Sequence, residues 1–78
     1  MSTKVPLYTL KEGQSARVES ITSQGAMRRR LQDIGLTIGA PVTCLGRSPF
    51  GDPTAFLIRG AAIALREEDS RGILVFPS

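Results

Sequence analysis

The sequence predicts a mainly β fold, a small barrel or sandwich of five to six short strands with one inserted helix. Short apolar runs recur between Gly and Pro positions along the whole chain. Within several of them apolar and polar residues alternate, as Ala16 and Val18 do against Arg17 and Glu19, the pattern of a half-buried strand. A single stretch, residues 23–42, changes to a helical period.

Taken in order, Pro6–Leu10 reads as a first strand, ending in a turn at Lys11-Glu12-Gly13. Gln14–Thr22 is the second strand. Met27, Leu31 and Ile34 then fall at i, i+4 and i+7, one stripe of a helix expected from about 24 to 34. Ser23 is the expected N-cap. Gly35 stands where a left-handed C′ residue belongs, and Leu36 follows as the apolar residue that packs back. Arg28, Arg29 and Gln32 lie off the stripe. Arg30 is nearer to it, with its stem along the core, and Asp33 is placed to pair with Arg29. Gly39-Ala40-Pro41 turns the chain into a strand at Val42–Arg47. In Thr54–Arg59, Ala55, Phe56, Leu57 and Ile58 are consecutive, which predicts a strand buried on both faces or strongly bent. Gly60 marks a bend or bulge before a strand at Ala61–Arg66. A polar turn follows, with a short helical turn near 67–71, and Ile73–Phe76 closes the fold. One domain, 1–78, accounts for everything.

Composition limits the chemistry. The 78 residues contain no His and one Cys, Cys44. Ser–His and Cys–His nucleophile pairs and an intrachain disulfide are thereby excluded. There is no CxxC, P-loop or GxGxxG, so no enzyme and no bound cofactor are expected. The formal net charge is +3. Residues 1–39 carry six basic and three acidic side chains and residues 40–78 four of each, so the excess is the run Arg28-Arg29-Arg30. A local patch of this kind is weak support for nucleic acid. No stretch has the length of a membrane span, and Met1–Leu10 lacks the apolar run of a signal peptide. A lone thiol in an apolar stretch fits a reducing compartment. A cytoplasmic location without direct membrane insertion is expected.

The most constrained loop is Ser48-Pro49-Phe50-Gly51-Asp52-Pro53. Ser at i, Pro at i+1 and Gly at i+3 match a type I turn on Ser48–Gly51. Pro53 steers Asp52 toward extended backbone, and both prolines reduce the freedom of the unfolded loop. Phe50 is left near the tip. It either folds down to plug an open end of the barrel or projects as an anchor for a partner, and the loop's own chemistry does not choose between them.

Three other features carry weaker expectations. The Arg28–Arg30 run is a solvated helix face or a cationic contact for an acidic surface. Glu67, Glu68 and Asp69 are oxygen donors for a divalent ion, but adjacent residues rarely converge on one. A solvated turn is expected there, with weak divalent binding at most and no tight iron site. Cys44 is expected as a small buried hydrophobe.

Three stretches in sequence, 29-RRLQDIGLTIGAPV-42, 48-SPFGDP-53 and 59-RGAAIALREED-69, together resemble the FeoA family, and the likeness runs from about Leu7 to Val75. Phe50 stands where an aliphatic residue is common in that family, and Thr54-Ala55-Phe56 alternates less cleanly than usual. The resemblance implies an SH3-like small β-barrel with a helix inserted after an early strand. It also implies a cytosolic accessory or regulatory role in bacterial ferrous-iron uptake, through protein–protein interaction with the cytosolic part of the FeoB transporter. The surface expected to do this is Ser48–Pro53, together with Arg28 and Arg29 on the helix. A similar barrel forms the C-terminal domain of iron-dependent repressors, so a metal-responsive regulatory domain is the alternative. A nucleic-acid-binding barrel is disfavoured by three Phe, one Tyr and no Trp. A weak homo-oligomer is compatible with all of these.

Overall fold

Alternation sets the inner faces of the strands. In the computed structural model, which describes residues 3–78, Ala16 and Val18 on β2 (Ser15–Ile21) turn into the core while Arg17 stays exposed. The same inward parity buries Val42 and Cys44 on β3 (Pro41–Arg47), Phe56 and Ile58 on β4 (Thr54–Ile58), and Ile73 and Val75 on β6 (Ile73–Pro77). With β1 (Val5–Pro6) and β5 (Ala61–Leu65) these strands form one six-stranded sheet, ordered β1-β6-β2-β3-β4-β5 and antiparallel throughout. Bulges between Val18 and Ser20 and between Cys44 and Gly46 shift the register, and such bulges increase local bending and twist. The outer strands β1 and β5 do not pair. A 3-10 turn, Leu7–Thr9, and a short helix α2 (Glu67–Ser70) touch across that gap. Helix α1 (Gly25–Asp33) lies between β2 and β3 in the chain and buries Leu31 in the core, with Met27 and Ile34 packed against it.

Several boundaries differ from expectation. Met1 and Ser2 of the expected 1–78 domain lie outside the described residues. The first strand is only Val5–Pro6, followed by the 3-10 turn. Leu7 and Leu10, three apart, would point to opposite faces of a strand. Turning the chain lets both enter the core, and Leu10 N donates to Leu7 O at 3.2 Å while Thr9 Oγ1 donates to Pro6 O at 2.7 Å. The N-cap of α1 is Gln24, without a side-chain bond, rather than Ser23. Ser23 is instead packed on Gly72, where a Cβ would come within 2.8 Å of its Oγ. The C-terminus follows the expected motif: Gly35 has φ +95°, Leu36 N donates to Leu31 O at 2.9 Å and Gly35 N to Gln32 O at 3.0 Å.

Strand β4 is not buried on both faces, since Leu57 points outward and is 40% exposed. The register shift in this pair comes from an extra residue on β3, between Cys44 and Gly46. Gly60 is neither bend nor bulge in a strand. With Arg59 (φ 49°) and its own φ of 82° it forms the two-residue hairpin turn between Ile58 and Ala61, matching the type I′ requirement for two positive φ angles.

Candidate functional site

The Ser48–Pro53 loop is held by its own backbone. Gly51 N donates to Ser48 O at 2.8 Å, closing the expected turn. Ser48 Oγ donates to Asp52 O at 2.7 Å, and Ser48 N to Pro53 O at 3.0 Å. The Asp52–Pro53 peptide is cis. Asp52 Oδ1 accepts from Glu67 N at 2.9 Å, so the loop is tied to the first turn of α2, where helix N–H groups lack intrahelical partners. Its base is braced from both sides. The Arg47 guanidinium donates to Tyr8 O, and Gly13 N donates to Cys44 O at 2.8 Å. Ser48 and Pro53 are half-buried; Pro49, Gly51 and Asp52 are exposed. Phe50 is 94% exposed at the tip. Of the two placements left open by the sequence, projection is the one adopted.

The arginines lie on α1. Arg28 is half-buried and its Nη1 donates to Ile21 O at 2.8 Å, fixing α1 to the last residue of β2. Arg29 is exposed. Arg30, expected along the core, is exposed as well. The expected Arg29–Asp33 pair does not form. Among the described residues the ion pairs are Lys4–Glu19 at 3.3 Å and Arg71–Glu67 at 2.9 Å. Arg28 is anchored at Ile21, which pairs with Ile73 on β6, whereas the loop is anchored at Glu67, six residues earlier, so the two candidate regions are held by separate bonds.

The acidic residues after β5 have separate tasks. Glu67 pairs with Arg71, Asp69 is buried and accepts from Arg66 N at 3.4 Å, and Glu68 is exposed. The expected solvated turn is thus a short helix whose last carboxylate folds inward. Among the described residues no three His, Cys, Asp or Glu gather around a common point, and no ligand-sized pocket opens. Cys44 is buried in β3, as expected.

Two features escaped the sequence. Arg59 reaches across to α1, with Nε donating to Gly35 O at 3.1 Å and Nη2 to Thr37 Oγ1 at 3.2 Å. This sets a cation at the C-terminal end of the helix, where the dipole favours it. The outer face of β3 and β4 exposes Leu45 (42%) and Leu57 (40%). Their outward parity was hidden by the run of apolar residues in β4 and by the bulge in β3.

The solution structure of the FeoA protein from Chlorobium tepidum superposes with a TM-score of 0.86 at 38% identity, covering 92% of this chain and 69% of that one. A crystal structure of an iron uptake regulatory protein, FeoA, gives 0.88 at 25% identity, over 97% of this chain and 100% of that one. The zinc complex of Stenotrophomonas maltophilia FeoA, described as a prokaryotic SH3 domain protein and a candidate ferrous iron transport activating factor, gives 0.80 at 28% identity, over 91% and 88%. The fold is accordingly an SH3-like small barrel. No curated protein matches the chain. The family model for the FeoA domain matches residues 5–77, nearly the whole sequence, and the protein belongs to the FeoA domain family.

Proposed function

We propose that the chain is an accessory protein of ferrous-iron uptake that docks on the cytosolic part of a FeoB-like membrane iron transporter and performs no chemistry of its own. Family membership supports the process. The observation that carries the docking surface is Phe50, 94% exposed on a loop fixed by its own hydrogen bonds and by Asp52. An aromatic side chain on a backbone ordered before binding leaves little loop freedom to lose on docking, and such rings are enriched among interface anchors. By binding one state of the transporter better than another, the module would shift gating or nucleotide turnover in proportion to that difference. Arg28 is committed to Ile21, and Arg29 is exposed and without a role in holding the fold.

The test is co-purification with the transporter in detergent. Phe50→Ala should weaken recovery by about tenfold or more, the loss expected for one central anchor, with an unchanged melting temperature. Undiminished recovery would remove the loop from the docking surface. The zinc-bound Stenotrophomonas protein motivates a second reading, a metal-responsive domain. Sub-micromolar ferrous binding by this chain in anaerobic calorimetry would favour it over docking alone.

A further inference from the structure

Strand β5 is an edge without the usual protection. Edge strands in native sheets carry charges, prolines or bulges that prevent pairing with another chain. Ala61-Ala62-Ile63-Ala64-Leu65 has none of these. Ala62 and Ala64 are exposed and Ile63 is half-buried.

The hairpin determines which backbone groups are free. A two-residue turn closes on a hydrogen-bonded pair, here Ile58 with Ala61, and the ladder then alternates. The pairs Phe56–Ile63 and Thr54–Leu65 therefore bond within the sheet. The N–H and C=O groups of Ala62 and Ala64 point away from β4, toward the open edge.

We propose that β5 pairs antiparallel with β5 of a second copy of this chain, about a two-fold axis through Ile63. In this register Ala62 of each copy faces Ala64 of the other, and every free backbone group of β5 finds a partner. Shifting by two residues either way would require Gly60 or Arg66 in the ladder. Gly60 is at φ 82° in the turn. Arg66 already donates its N–H to Asp69 and accepts at its carbonyl from Asp69 N and Ser70 N. Charge is compatible with the pairing. Antiparallel pairing sets Arg59 of one copy, held on Gly35 and Thr37, opposite Glu67 of the other, paired with Arg71, so unlike charges meet at each end. No charged side chain lies between. On the outer face, Leu57, opposite Ala62 within one copy, extends the apolar surface across the axis. The pairing is isologous and closes at two chains. It is independent of the Phe50 loop.

Sedimentation equilibrium on the full chain tests this. The mass should rise from one chain to two with concentration. Ala64→Pro removes an outward N–H that β4 does not use, so the barrel should stay folded by circular dichroism while the dissociation constant rises about tenfold or more. Ala64→Lys, which keeps the backbone donor but adds a charge at the axis, should do the same and serves if the proline variant unfolds. Oxidised Ile63→Cys should give a disulfide-linked dimer, since that position faces itself across the axis. A mass of one chain up to near-millimolar concentration overturns the proposal. So does a dimer that persists in the folded Ala64 variants, or an edge that accepts an added extended peptide but not a second copy.

Discussion

At the scale of single residues, Gly35 meets two demands together. Its φ of +95° is a conformation that side chains avoid, and the space where its Cβ would stand is taken by Arg59, whose Cδ lies 2.6 Å from that point. Gly35→Ala should cost roughly 1–3 kcal/mol, read as a lower denaturant midpoint at unchanged slope. In an Arg59→Ala background the clash is gone and only the backbone strain is left, so the cost should shrink without vanishing. An equal cost in both backgrounds would show that the arginine yields freely. Asp52 makes a different kind of contribution. Its carboxylate accepts from Glu67 N at the start of α2, as a helix cap does, although it comes from another part of the chain. Asp52→Ala should cost about 0.5–2 kcal/mol, the range for losing a cap, and Asp52→Asn, which keeps an acceptor, should cost less. Chemical denaturation of the two variants separates the outcomes; equal stability of both with the parent would mean that the bond contributes nothing.

At the scale of elements, α1 shows what a sequence discloses and what it conceals. The Met27, Leu31 and Ile34 stripe and the Gly35-Leu36 ending follow from local rules, and both occur where the pattern places them. The Ser48–Gly51 turn was legible for the same reason, since its residues interact with their near neighbours. Arg28 was not legible, because its acceptor is the carbonyl at the end of β2 and the direction of the helix over the sheet decides whether it is reached. The Asp52–Glu67 bond was hidden likewise, joining residues fifteen apart through the fold. Pro6–Leu10 was misread because the period of Leu7 and Leu10 fits a tight turn better than a strand. Of the candidate docking surface, the rigid loop could be read, but the exposure of Phe50 depended on the direction in which the fold presents the loop tip, which its own residues do not set. The helix yields a prediction that residue type alone would miss. Arg28→Ala should cost about 1–3 kcal/mol, as loss of a charged donor leaves the Ile21 carbonyl short of a partner. Arg29→Ala, at an exposed position, should stay within about 0.5 kcal/mol of the parent. Thermal or denaturant unfolding of the pair decides it, and similar losses in both would indicate a general charge effect in place of a specific bond.

At the scale of the whole molecule, the barrel carries two assemblies. The Phe50 loop is tied to α2 and to the 3-10 turn; α1 is tied to the end of β2 and to the Arg59 hairpin, and Ser23 before it packs on Gly72, two residues after α2. The molecule measures 31 × 30 × 22 Å, and the sheet is the frame for both. If that frame is rigid, a change in one assembly leaves the energetics of the other alone, as expected for sites that share no partner. The double variant Asp52→Ala with Arg28→Ala should then lose the sum of the single losses to within about 0.5 kcal/mol. Each single bond acts on a helix end, α2 in one case and α1 in the other, so a departure from additivity arises through the strands that join them or through Gly72, which follows α2 and accepts from Thr22 N at 2.7 Å ahead of α1. A coupling clearly above that margin would mean that one of these routes transmits strain. Docking at Phe50 would then be felt at α1, and the barrel would be a relay between the two assemblies and not a fixed support for the loop.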